Sequence, residues 1–248
     1  MRPGRARMAV PTAFTMGNLA AGFLACAVAV DAELAATLGA AFIMLAVLCD
    51  GLDGLLARKM GATSELGGQL DSLADCVSFG VAPAILVGRI SAPALGPVAW
   101  LLAVFYASCA AYRLARFNLG NGSGEEAHSV FSGLPTTGAA VAAFGLISLY
   151  ACWNKAADAT LFRQTMPVFL LVLALLMVSR VPYTHMGPGR GRPKQRYVML
   201  FVIVPLVLVG LFWNYGVTSF AVSWAYIARG LLLAAGRRVH ESHAYKTG

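Results

Sequence analysis

The chain has 248 residues, of which 58% are hydrophobic and 12% charged, and its mean hydropathy is +0.70. That balance excludes a soluble single-core domain and specifies an all-α polytopic membrane protein, because apolar runs long enough to span lipid satisfy their backbone as helices. The net charge of +8 would suit nucleic acid, but Lys and Arg lie between the apolar runs, where they set topology and meet anionic lipid; no nucleic-acid partner is expected.

A basic start, MRPGRAR, precedes an apolar run over about 14–30. It is read as a first membrane helix and not a cleaved signal peptide, because Gly17 and Asn18 fall inside it and no small-residue cleavage site follows. Pro11 suits the first turn of a helix. The second run covers about 34–56 and the third about 65–90. The fourth, about 95–114, ends in Arg113 and Arg116, followed by Asn118 and a polar loop, NLGNGSGEEAHSV. The fifth covers about 134–153, and the sixth, about 166–179, is short. After a Pro/Gly/Arg-rich loop come a seventh run at about 197–213 and an eighth at about 217–233. Pro205 falls inside the seventh, which a membrane helix tolerates where neighbours satisfy the freed carbonyl. The expectation is one integral membrane domain of about eight transmembrane helices. Five cysteines are scattered through apolar stretches without a CxxC pair and read as buried thiols. The four histidines lie in loops or the tail and are given no chemistry.

Eight spans put both termini on one face. Of the 19 Lys and Arg residues, only Arg89, Lys155 and Arg163 fall on the other. By the positive-inside rule both termini are cytoplasmic, in a cell (inner) membrane.

The chemistry concentrates in residues 50–75, DGLDGLLARKMGATSELGGQLDSLAD. Asp50 and Asp53 are three apart, and Asp71 and Asp75 four apart, so each pair shares one helix face. Between the pairs Gly61 can end a helix, and Ser64 before Glu65 suits a new start. The expectation is a helical hairpin opening at the cytoplasmic face with two carboxylates on each arm. Carboxylates cost a few kcal/mol each inside a membrane, so four of them call for cations. Oxygen ligands suit Mg²⁺ or Mn²⁺, and two ions about 3.5–4 Å apart fit in-line displacement at phosphorus. Gly51, Gly54, Gly67 and Gly68 remove side chains beside the carboxylates, allowing close approach.

The order Asp50-x-x-Asp53-Gly54-x-x-Ala57-Arg58, eight residues, Gly67, three residues, Asp71, three residues, Asp75 resembles the CDP-alcohol phosphotransferase signature at every position. PTAFTMGNLAAGF near the start, RLARFN, FSGLPTTGAAVAA and LMVSRVPY are similar to stretches of its membrane-embedded phosphatidylserine synthase branch. One departure stands at Thr136–Thr137, where that branch often has a second Pro. The resemblance implies a six-helix catalytic core over about 11–183, with two further C-terminal helices at about 197–235.

It also implies transfer of the phosphatidyl group of CDP-diacylglycerol to L-serine, with release of CMP. Asp50, Asp53, Asp71 and Asp75 would hold two divalent ions, and Asp75 would be the general base. Asp50, Gly54, Arg58 and Gly67 would meet CDP-diacylglycerol, Arg58 by charge-assisted hydrogen bonds to phosphate. Arg113, Arg116 and Asn118 are candidates for serine, since a guanidinium meets a carboxylate bidentately. Arg58, Arg113 and Arg116 have a second reading as cations that set topology. A homodimer is implied by the family alone. A sister enzyme using glycerol phosphate or inositol phosphate, and a cation transporter built on the hairpin, stay open.

Overall fold

A computed structural model describes residues 5–61, 64–122, 133–153, 159–179, 181 and 215–246; all regular structure among them is helical. Six helical segments are long and apolar enough to cross a membrane: Ala9–Val30, Ala32–Met60, Glu65–Leu95, Pro97–Leu119, Thr136–Trp153 and Ala159–Val178. The expected seventh run lies outside the described residues. The eighth forms a helix that is not among those six. The chain is thus an all-α polytopic membrane protein with six candidate spans among the described residues.

Helix α1 covers Arg5–Ala27 and carries Pro11 within it. Asp31 caps the next span, accepting from the backbone N–H groups of Glu33 at 2.8 Å and Leu34 at 3.1 Å. After a π-turn at Ala35–Gly39, α2 covers Ala40–Met60. It ends where the sequence puts a stop: Gly61 has φ 57, which costs glycine little, and Arg58 and Lys59 in the last turn complement the helix dipole. Helix α3, Glu65–Asp75, starts from Ser64, whose hydroxyl accepts from Gly67 N–H at 3.0 Å. The expected hairpin therefore forms, with each arm bounded by the residues that predicted its ends.

A π-turn, Cys76–Val81, follows Asp75 directly and leads into α4, Ala82–Leu95. Such turns widen a helix and leave backbone groups poorly paired. Here the Tyr106 hydroxyl donates to the Phe79 carbonyl at 3.0 Å, and the Ser78 hydroxyl to the Asn18 carbonyl at 2.8 Å. Tyr106 belongs to α5, Pro97–Gly122. This helix runs well past the expected end near Leu114, so Arg113, Arg116 and Asn118 project from helix and not from a helix end. The intervening Leu114, Ala115, Phe117 and Leu119 are sound helix residues, and the strong breakers come only at Gly120 and Gly122.

Helix α6, Thr136–Trp153, begins from a fixed point: Gly133 N–H donates to Val181 O at 2.8 Å and Leu134 N–H to Leu176 O at 3.0 Å. Gly133 has φ 101, and a Cβ there would stand 2.9 Å from Ser179 O. Helix α7 is Ala159–Val178, longer at its start than the sixth apolar run suggested. Helix α8, Tyr215–Lys246, packs along α6. The two backbones approach at glycines: a Cβ on Gly145 would lie 2.8 Å from Phe220 Cα. Phe220 and Trp224 meet Phe169 of α7 edge-on, at centroid distances of 6.3 and 5.0 Å. The core is small-residue and tight, with Ala25, Ile43, Phe79, Tyr106, Leu146 and Leu170 fully buried.

Candidate active site

Helix α2 supplies Asp50 and Asp53, and α3 supplies Asp71 and Asp75. Carboxylate oxygens of Asp50, Asp53 and Asp71 all lie within 4.8 Å of one another. Asp53 is buried and the other two half-buried. One oxygen each of Asp53 and Asp71 is buried without a hydrogen-bond partner among the described residues. Like charges gathered in a low-dielectric setting, with acceptor lone pairs unused, are a costly arrangement unless a cation joins them. Oxygen-only ligands in this number fit a hard divalent ion.

Asp75 is not one of the three that converge. It is buried, and its Oδ1 accepts a 3.0 Å hydrogen bond from Asn18 Nδ2 of α1. Asn18 is fully buried, and its other side-chain atom, Oδ1, has no partner among the described residues. Thr15, one turn earlier on α1, lies beside Asp53, with its hydroxyl donating to Pro11 O at 3.2 Å. The first helix thus touches both arms of the hairpin. Residues on α1 were absent from the expected site. An Asn inside an apolar run was the available signal, since such a group is expensive in a membrane and calls for a partner.

The expected glycines differ in what surrounds them. A Cβ on Gly51 or Gly68 would meet nothing within 4 Å, so these two leave open space beside the carboxylates. On Gly54 it would lie 3.4 Å from Arg58 Nη1, and on Gly67 3.0 Å from Ser64 Oγ. Gly54 therefore makes room for the Arg58 guanidinium, which folds back along α2, while Gly67 accommodates its own helix cap.

Arg113 and Arg116 separate. Arg113 is buried, and its Nη1 donates to Thr136 Oγ1 at 2.7 Å. Its Nε is buried without a partner among the described residues. Arg116 Nη1 points to Val178 O at 3.4 Å, at the end of α7. Asn118 accepts from Ser72 Oγ at 3.1 Å, one residue from Asp71. The next residue after Thr136 matters as well, since Thr137 Oγ1 donates to Asp50 Oδ2 at 3.4 Å. The start of α6 therefore bridges the acidic cluster and Arg113, at the very pair where the sequence departs from the pattern it resembles.

Comparison with known proteins agrees with this geometry. A family model described as CDP-alcohol phosphatidyltransferase matches residues 8–178. A CDP-diacylglycerol–serine O-phosphatidyltransferase of Mycobacterium bovis is 32% identical over 197 residues, 78% of this chain and 67% of that protein. One of Bacillus subtilis is 31% identical over 182 residues, 71% of this chain and 90% of that protein. An archaetidylserine synthase of Methanothermobacter thermautotrophicus is 33% identical over 188 residues, 74% of this chain and 72% of that protein. The matched span holds α1 to α7, and with them every carboxylate of the site: the chain belongs to the CDP-alcohol phosphatidyltransferase family.

Proposed function

We propose that this protein transfers the phosphatidyl group of CDP-diacylglycerol to the hydroxyl of L-serine, forming phosphatidylserine and CMP. The observation that carries the reading is the convergence of Asp50, Asp53 and Asp71 beside a fourth carboxylate that Asn18 holds in place. The names of the similar proteins supply the two substrates.

Asp50, Asp53 and Asp71 would hold Mg²⁺ or Mn²⁺, with Asp75 at the edge of the same cluster and able to complete the ligand set of a second ion. Divalent ions held there would supply charge neutralisation for the pyrophosphate. Arg58 meets phosphate from the cytoplasmic end of α2, and the open faces at Gly51 and Gly68 leave room for the nucleotide. Asp75 takes the proton as the serine oxygen attacks phosphorus. A new P–O bond to serine forms, the pyrophosphate P–O bond breaks, and the electron pair leaves with CMP. No covalent enzyme intermediate is needed. Asp75 is buried and its Oδ1 is held by Asn18, so its carboxylate has a fixed orientation, which a general base needs.

The site faces the cytoplasm, where serine is dissolved and CMP is released, while CDP-diacylglycerol enters between helices. A homodimer completes the proposal on family resemblance. The test is CMP release by purified protein from CDP-diacylglycerol, with serine, glycerol phosphate and inositol phosphate offered in parallel. Release with serine alone supports the reading. Release with a phosphorylated alcohol makes the protein a sister enzyme, and no release with any alcohol leaves the transporter.

A further inference from the structure

Helix α8 lies beyond the residues that the family model matches, yet it reaches the site. Its path is set by close contact with α6. A Cβ on Gly216 would stand 2.8 Å from Cys152 Sγ, and one on Gly145 2.9 Å from Phe220 N. Near the start of α6 a Cβ on Gly138 would lie 3.7 Å from Cε1 of Tyr226. Gly138 is two residues from Thr136, which holds Arg113. Tyr226 and Arg113 are electrostatic neighbours, and Asp75 is also in range of Arg113.

Arg113 is nine-tenths buried, with one edge on Thr136 and its Nε unused among the described residues. A buried guanidinium with an unused donor is costly unless an anion meets it. Arg116, the other cation beside it, is turned toward Val178 O. A guanidinium edge receives a carboxylate through two parallel N–H donors. An acceptor that placed its carboxylate on Arg113 and its hydroxyl toward Asp75 would be a small hydroxy acid, and serine is one.

We propose that α8 is part of the acceptor site, and that Tyr226 positions the Arg113 guanidinium so that its Nε edge receives the carboxylate of the amino-acid acceptor. This rests on the proposed serine activity and adds to it the group that selects an alcohol bearing a carboxylate over other alcohols. Tyr226 acts through Arg113 and is a positioning residue.

The test compares the full-length protein with Tyr226→Phe, which removes one hydroxyl and keeps the ring against Gly138. The expected result is a KM for serine raised about tenfold, the size of one weakened hydrogen bond between Arg113 and the acceptor carboxylate, with kcat and the KM for CDP-diacylglycerol within about twofold. Inhibition by 3-hydroxypropanoate, which keeps the carboxylate, should weaken by the same factor, while inhibition by ethanolamine, which lacks it, should not change. Phe220→Leu on the same helix serves as the packing control and should lower thermal stability without moving the KM for serine. Wild-type protein that turns over serine while Tyr226→Phe keeps its KM overturns this inference alone, as does equal weakening of both analogues. Wild-type protein that releases no CMP with serine overturns the proposed activity, and this inference with it.

Discussion

The side-chain amide of Asn18 donates a 3.0 Å hydrogen bond to Oδ1 of Asp75, tying α1 to α3 across 57 residues of sequence. The backbone carbonyl of the same Asn18 accepts from Ser78 Oγ at 2.8 Å, in the π-turn that follows Asp75. One residue therefore fixes the carboxylate and the turn behind it. With Oδ1 bonded to the amide, Oδ2 is the oxygen that the proposed base role would use first. Asn18→Ala should lower turnover about 10–100-fold, the usual loss when a supporting hydrogen bond beside a metal site goes. Affinity for CDP-diacylglycerol, measured by titration, should hold within a few fold; an unchanged turnover would free Asp75 from dependence on Asn18.

The proposed metal requirement draws its support from the unused oxygens of Asp53 and Asp71. Excess chelator should abolish CMP release, and added Mg²⁺ or Mn²⁺ should restore it. Asp71→Asn should do the same without restoration, because removing one ligand leaves a bound cation poorly compensated. Full activity in chelator would remove divalent ions from the mechanism.

Gly22 tests the packing behind the site. A Cβ there would stand 2.7 Å from Ser78 Cα, a backbone atom that cannot swing away. Gly22→Val should cost about 1–3 kcal/mol, as overpacking does, read as a lower unfolding temperature in detergent. Because Ser78 sits in the π-turn next to Asp75, activity should fall further than stability alone explains.

Much of this site could be read from residues 50–75. Two carboxylate pairs at helical spacing, a glycine stop and a serine cap specify a hairpin by local rules, and the hairpin is there. Asn18, Thr136 and Thr137 could not be read in the same way. Their partners are 57, 23 and 87 residues distant, and nothing local in the sequence reports a contact made by folding. Thr136–Thr137 even looked like a weakness of the pattern, whereas the pair links Arg113 to Asp50. The end of α5 was misplaced for a different reason: hydropathy falls at Arg113, but helix propensity does not fall until Gly120. The reach of α8 to Arg113 depends on glycine contacts along α6 that periodicity cannot show.

Topology is checked by cysteine labelling in a background without the five native cysteines. Glu33, between the first two spans, and Glu65, at the start of α3, are both exposed. A cysteine at Glu33 should react with an impermeant reagent added to intact cells, and one at Glu65 only after the cells are opened. The reverse pattern would invert the protein and put the hairpin outside.

The last prediction separates ligand from base. Asp50 belongs to the group of three converging carboxylates, and Asp75 stands beside it on Asn18. Asp75→Asn keeps the shape and one oxygen but cannot take the serine proton. It should bind CDP-diacylglycerol within about tenfold of the parent, roughly 1.4 kcal/mol, while turnover drops by at least about 10²–10⁴-fold, the range for losing a general base. Asp50→Asn should damage nucleotide binding and turnover together. Both substitutions remove one negative charge from the same cluster, so charge loss by itself would affect binding alike in the two variants, and the difference between them reports the role. Should titration find Asp75→Asn as weak for nucleotide as Asp50→Asn, Asp75 is chiefly a ligand. Should Asp75→Asn turn over normally at saturating serine, it is not the base, and water or a substrate phosphate oxygen takes the proton instead.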